Sequence, residues 1–370
     1  MNNKSQYYKY GLILMFIFFI SQNIFTIENS NQFGYTDINN YLIIAKNRFY
    51  GTFSFKVPLH HLERWPIHSF IGEISYLMNI EIHSTYIIFQ IFILINIFFV
   101  IGFINESYIT KLSIFSIILF NPYLFRLYNC IPEMISDTLF VMGSLFLIIS
   151  LIYSKKILNI ISLIILIISR QTVILLFPII IIMFLLKIIN KKQLIVNILI
   201  LFLGILIIKF STTLIYGKQD NKYIVYHLID GWEKLNKVNF TETFDFLARF
   251  IILIITTLPI FIFINKKDIK NNYIWIIFFL IINIQPLISG PLITSGNIQR
   301  LGALGIPFLI PIIIQNKNRK KDSIIFILLN ILLSFHHRFS IINKIEFSIF
   351  IFETILFIIP IIILSYKYAK

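Results

Sequence analysis

One cysteine, Cys130, stands in a chain of 370 residues, so no internal disulfide can form and the redox compartment stays open. Charge is scarce as well: Asp, Glu, Lys and Arg make up 13% of the chain against 58% hydrophobic residues, which excludes a string of soluble domains. A glycine-rich phosphate loop, a zinc-ligand spacing and a serine elbow are all missing, which argues against an ATP-driven pump and a common hydrolase. There is no internal repeat and no low-complexity tail. The first apolar run, Tyr10 to Ile27, begins with Lys4 and Lys9 but has no small-residue cleavage site. It reads as a retained helix rather than a removed signal.

What the chain does have is a succession of apolar runs of about 17–25 residues, long enough to cross a hydrocarbon core of roughly 30 Å. The backbone must satisfy its own hydrogen bonds there, so the expected fold is all-α, a polytopic bundle of about twelve membrane segments. The whole chain, 1–370, reads as a single membrane domain. A first large outer loop falls at 28–82 and a second at 215–247, with short interfacial helices carried on the loops.

Charge is distributed unevenly. Lys4, Lys9, Lys111, Lys155, Lys156, Lys187, Lys191, Lys192, Lys266, Lys267, Lys270, Lys317, Arg319, Lys320, Lys321, Lys367 and Lys370 fall on one side, with only Glu106, Asp268 and Asp322 for company. By the positive-inside rule that side is cytoplasmic, both termini included. All seven histidines and nearly all the acids are then extracytoplasmic, and the net charge of +15 points to a membrane surface rather than to nucleic acid. The expected localisation is a cell membrane, multi-pass, with the chemistry outside.

Between Ile157 and Leu186 only Arg170-Gln171 interrupts the apolar run, and both flanks are basic. One helix of that length would measure about 45 Å and would place its two basic ends on opposite sides. Two short segments meeting at Arg170 resolve both difficulties. The arginine is then a cavity residue below the outer surface, where a charge is costly and marks function, or it is a snorkelling residue at a helix end.

The richest polar stretch is Phe33–Glu73, which holds three of the seven histidines. Within it Asp37 opens a short amphipathic helix whose apolar face is Ile38, Tyr41, Leu42 and Ala45, with Thr36 as its N-cap. Asp37 either complements the helix dipole or serves as a general base at the membrane surface. His60, His61 and Glu63 are too few for a metal site, so no metal and no cofactor is expected. His61 and Arg64 suit phosphate or hydroxyl groups, and Trp65 suits sugar stacking. Phe70, Ile71, Ile74, Leu77 and Met78 form a second apolar stripe.

Further along, Glu133 and Asp137 are four apart at the outer start of a membrane helix and therefore on one face, either as dipole partners or as active-site carboxylates. Arg300 opens a late segment as a phosphate ligand or an interfacial anchor. His336-His337-Arg338 reads as a headgroup contact, and Trp232 as a belt residue.

Taken in order, AspIleAsnAsnTyr (37–41), ArgTrpPro (64–66), AsnPro (121–122), ProGluMetIleSerAspThrLeuPhe (132–140), SerArgGlnThr (169–172) and Gln299, Arg300 with Pro307 resemble the GT-C superfamily of membrane glycosyltransferases. The resemblance covers about the first 190 residues and the region of Arg300. It implies an inverting mannosyltransferase-like enzyme that moves a sugar from a polyprenyl-phosphate-linked donor to a glycan or lipid acceptor. The family's first-loop catalytic base maps onto Asp37, and its rim arginines and histidines suggest Arg170, Arg300, His61 or Arg64 for the lipid phosphate. The residue reading adds Glu133 and Asp137 as further catalytic candidates and Trp65 as the sugar platform. The chain departs from larger members in having no soluble C-terminal domain and no DxD pair, which suggests metal independence. A surface-polysaccharide polymerase shares the size and the large outer loops, and a lipid-linked-sugar flippase is the non-enzymatic alternative.

Overall fold

Helix punctuation in this chain comes from caps, prolines and one interior arginine. A computed structural model describes residues 3–24, 35–50, 57–217, 240–264, 269–294, 297–315, 320–335 and 347–369. All its regular elements are helical. In chain order they are α1 (Asn3–Ile24), α2 (Tyr35–Asn47), α3 (Leu59–Leu62), α4 (Trp65–Met78), α5 (Ile82–Phe103), α6 (Tyr108–Phe120), α7 (Phe125–Cys130), α8 (Ile135–Ile152) and α9 (Lys156–Ser169). There follow α10 (Leu176–Leu185), α11 (Lys191–Tyr216), α12 (Phe240–Thr257), α13 (Ile269–Thr294), α14 (Ile298–Ala303), α15 (Ile310–Gln315), α16 (Lys320–Leu333) and α17 (Phe347–Ala369). Short 3-10 turns lead into α8, α10 and α15 and extend α12.

Five stretches among the described residues are long and apolar enough to cross a membrane: Ile82–Phe103, Pro132–Ile152, Lys191–Tyr216, Phe246–Phe263 and Asn272–Ser289. This is the make-up of a helical membrane protein. The other expected segments either are shorter apolar helices, such as Tyr108–Phe120 and Lys156–Ser169, or reach into residues outside the described set. Trp232, the His336–Arg338 cluster and the Thr36 side chain also lie outside the described residues.

The chain gathers into two compact units. The larger comprises Met1–Gln32, Asn96–Cys130 and Gly231–Lys370; the smaller comprises Phe33–Ile95 and Ile131–Asp230. In the larger unit α6 is buried from Thr110 to Phe120 and packs on α1 and α16. Its Ser107 N-cap accepts from the Thr110 amide, satisfying one of the donors every helix leaves open. It stops at Asn121, ahead of Pro122, where helical backbone is disfavoured. Asn121 and Tyr123 then tie this turn to α12 and α14, through Thr256 Oγ1 at 3.3 Å and Gln299 Nε2 at 2.8 Å.

The smaller unit is organised by two close helix pairs. In the first, α8 is buried along nearly its whole length, as an all-round apolar helix requires, and lies against α9 with Gly143 facing Leu166. In the second, α2 crosses α4 so closely that a Cβ on Gly72 would overlap the Ala45 carbonyl. The buried face of α2 is Tyr41, Ile44 and Ala45, shifted slightly from the face expected by spacing. The expected stripe of α4 divides between two environments: Ile71 is buried, whereas Phe70, Leu77 and Met78 are exposed. α4 closes on Asn79 in the left-handed region (φ 52°), the conformation that ends many helices. On α11 a capping box of Asn190 and Gln193 sets the start, and its apolar residues are largely exposed, which suits a lipid-facing helix.

The break expected at Arg170 is present. α9 ends at Ser169, Arg170 is extended (φ −156°, ψ 153°), and a 3-10 turn, Gln171–Leu175, leads into α10.

Candidate functional site

Tyr41, His61, Arg64 and His68 meet in the smaller unit where α2, α3 and α4 pack together. Asp37 sits in the first turn of α2, where the helix N-terminus favours a carboxylate. One turn later the Tyr41 ring is fully buried. Opposite, the single turn of α3 and the Glu63-Arg64 turn present His61 and Arg64 to α2. His61 Nε2 comes within 3.4 Å of Asp37 Oδ1, and its ring meets Tyr41 edge-on. Arg64 donates to the Tyr41 hydroxyl and, through Nε at 3.4 Å, to Gln171 Oε1.

His68 forms the floor of this cluster. Its ring stacks flat on Tyr41 at 4.2 Å; Nδ1 lies 2.7 Å from the Tyr86 hydroxyl and Nε2 3.1 Å from Ser136 Oγ. Complete burial holds the imidazole well below its usual pKa, and the neighbouring Arg64 and His61 push it the same way. A neutral ring donates through one nitrogen and accepts through the other, which matches two hydroxyl partners. Burial likewise raises the Tyr41 phenol, with Arg64 opposing, so its hydroxyl stays neutral and accepts from the guanidinium. The buried Glu63 carboxyl is raised by desolvation and drawn back by a hydrogen bond from Gln171 and by the charges of Lys209 and Arg64.

The three carboxylates expected at the site differ in access. Asp137, on the first turn of α8, is 1% exposed and ion-paired with Arg170 Nη1, itself 4% exposed. Glu133 is 6% exposed and 2.7 Å from Nδ1 of the half-exposed His83. Asp37, at 18%, is the most accessible of the three. Glu133 and Asp137 do not lie on one regular helix, because Glu133 is in the 3-10 turn that precedes α8. Each therefore takes its own partner.

Trp65 is half-buried, packs against the cluster of Ile44, Val57 and Leu62, and meets Phe49 edge-on at 5.9 Å. Arg300 lies in the larger unit, buried on α14 beside Gln299. Among the described residues no group of three or more His, Cys, Asp or Glu side chains is placed to hold a metal ion.

Four contributors were not singled out from sequence: His68, Tyr86, Ser136 and Gln171. Gln171 carried a usable signal, since it adjoins the one charge in a long apolar run. Tyr86 and Ser136 carried none, because each is an ordinary residue of an apolar helix until His68 reaches it.

No protein-family model, curated protein or solved structure matches the chain.

Proposed function

We propose that the chain is a membrane glycosyltransferase of GT-C type, taking a sugar from a polyprenyl-phosphate donor and passing it to a glycan or lipid acceptor with inversion. The observation that carries the reading is the access of Asp37: a partly exposed carboxylate at a helix N-terminus, in contact with His61, with Arg64 on the hydroxyl of Tyr41 one turn along the same helix. An acid beside a histidine and an arginine is what a proton-accepting, phosphate-releasing site requires.

In this mechanism Asp37 takes the proton of the acceptor hydroxyl as its oxygen bonds to the anomeric carbon. The bond from that carbon to the phosphate oxygen breaks, and its electron pair leaves with the polyprenyl phosphate. His61 orients the carboxylate, and Arg64 offsets the charge that grows on the departing phosphate. Arg170 and Asp137 neutralise one another and tie the helix break to α8. Glu133, paired with His83, fixes the entrance to α8 rather than reacting. Arg300 remains a candidate for the donor phosphate on the resemblance alone. The site opens extracytoplasmically in a topology of about twelve membrane segments with the basic loops cytoplasmic, supported by the asymmetry of Lys and Arg across the loops.

The test is biochemical and genetic together. Purified protein in lipid nanodiscs, given a radiolabelled polyprenyl-phosphate monosaccharide and cell-envelope glycan, should release polyprenyl phosphate and label the glycan. Deleting the gene should cause polyprenyl-phosphate monosaccharide to accumulate. Accumulation of completed but unpolymerised repeat units would instead identify a polymerase, and unchanged lipid-linked sugars would exclude both.

A further inference from the structure

The side-chain amide of Gln171 is engaged from both ends. Nε2 donates to the His60 carbonyl at 2.6 Å, and Oε1 accepts from Arg64 Nε at 3.4 Å. The same amide lowers the pKa of the Glu63 carboxyl against the desolvation that raises it. One N–H and the carbonyl oxygen are thereby both in use, donor and acceptor engaging the same short segment. Both partners belong to the five residues 60–64, a stretch with little regular structure of its own. α3 is a single turn of four residues, and its N-cap Pro58 supplies no side-chain cap. The opposite end of the connection is firmly fixed, because Gln171 follows directly on Arg170, whose guanidinium is paired with Asp137 on α8.

We propose that Gln171 is the positioning residue of this site: its amide fastens residues 60–64 to the helix break at Arg170 and so sets where His61 and Arg64 stand relative to Asp37. The proposal rests on the reading of Asp37 as general base. Asp37 itself is placed independently, on α2, whose crossing with α4 at Gly72 leaves little play. Losing the amide therefore changes the site from one direction only: His61 on α3 and the Arg64 side chain at the start of α4 lose their tether, and Asp37 stays.

Hydrogen exchange on the full-length protein in nanodiscs tests the fastening without any substrate. Two variants are compared with the wild type. Gln171→Met keeps the length and loses every polar contact; Gln171→Glu keeps an acceptor for Arg64 and loses both donors. Amide exchange over residues 58–64 should accelerate at least about tenfold in Gln171→Met and less in Gln171→Glu, with α8 and α9 unchanged. Turnover of the polyprenyl-phosphate sugar at saturating donor should fall in the same order, about tenfold in the methionine variant. Unaltered exchange over 58–64 in both variants overturns the proposal, and so does a loosened 58–64 with undiminished turnover. If the methionine variant loosens throughout, the glutamate variant decides by the same two criteria. An Asp37→Asn protein with full transfer would sink the general-base reading, whereas the exchange result still judges the fastening on its own.

Discussion

At the scale of single residues, partner and depth decide what each charged group can do. Asp137 and Arg170 are both nearly inaccessible and meet across the top of α8. Removing water from two charges costs several kcal/mol, which their attraction repays only while both are present. Asp137→Leu and Arg170→Met should therefore each destabilise by about 3–5 kcal/mol, because each removes the partner of a buried charge. The double change Asp137→Leu with Arg170→Met should recover most of that loss. Thermal unfolding in detergent, followed across both single variants and the double one, checks this; additive losses would mean the pair is not coupled. His68 obeys the same logic without carrying a charge: buried and neutral, it serves hydroxyl partners that an imidazolium could not serve equally well.

At the scale of elements, the α2–α4 crossing supports everything Asp37 does. Gly72 allows the Ala45 backbone to approach where any side chain would collide. Gly72→Ala should push the helices apart and cost about 1–3 kcal/mol, as overpacking does, with a matching drop in melting temperature. Gly72→Ala at wild-type stability would show the crossing to be looser than described. A second clamp, Arg48 with Glu73 at 3.7 Å, is partly exposed and contributes little by comparison. Element by element, the sequence was informative wherever a period or a break carried the signal. The break at Arg170, the stop of α6 at Asn121 and the presence of helices α2 and α4 were all legible, because apolar spacing and backbone chemistry are local properties. The 3-10 turn at Glu133 was not legible, since i, i+4 spacing implies a shared face only within regular α-helix.

At the scale of the whole molecule, hydropathy reveals a membrane protein, and the loop charges suggest which side faces out. Among the described residues, five helices are long and apolar enough to cross by themselves. The pairing within the site was harder to read. Which of His60, His61 and Arg64 turns toward Asp37 depends on the contact of α3 with α2, between segments about twenty residues apart. Spacing within one helix cannot report that contact. The hydrogen bonds from Gln171 to His60 and from Arg64 to Gln171 span more than a hundred residues. No local pattern encodes them. The site that results places one accessible carboxylate beside a histidine and an arginine, and the proposed reaction depends on that carboxylate being a base. The direct measurement is sugar transfer from polyprenyl-phosphate donor by Asp37→Asn, at matched expression and membrane insertion. General-base loss should lower transfer by about 10²–10⁴-fold, with Asp37→Glu retaining part of it. Transfer by Asp37→Asn at the wild-type rate would contradict the account.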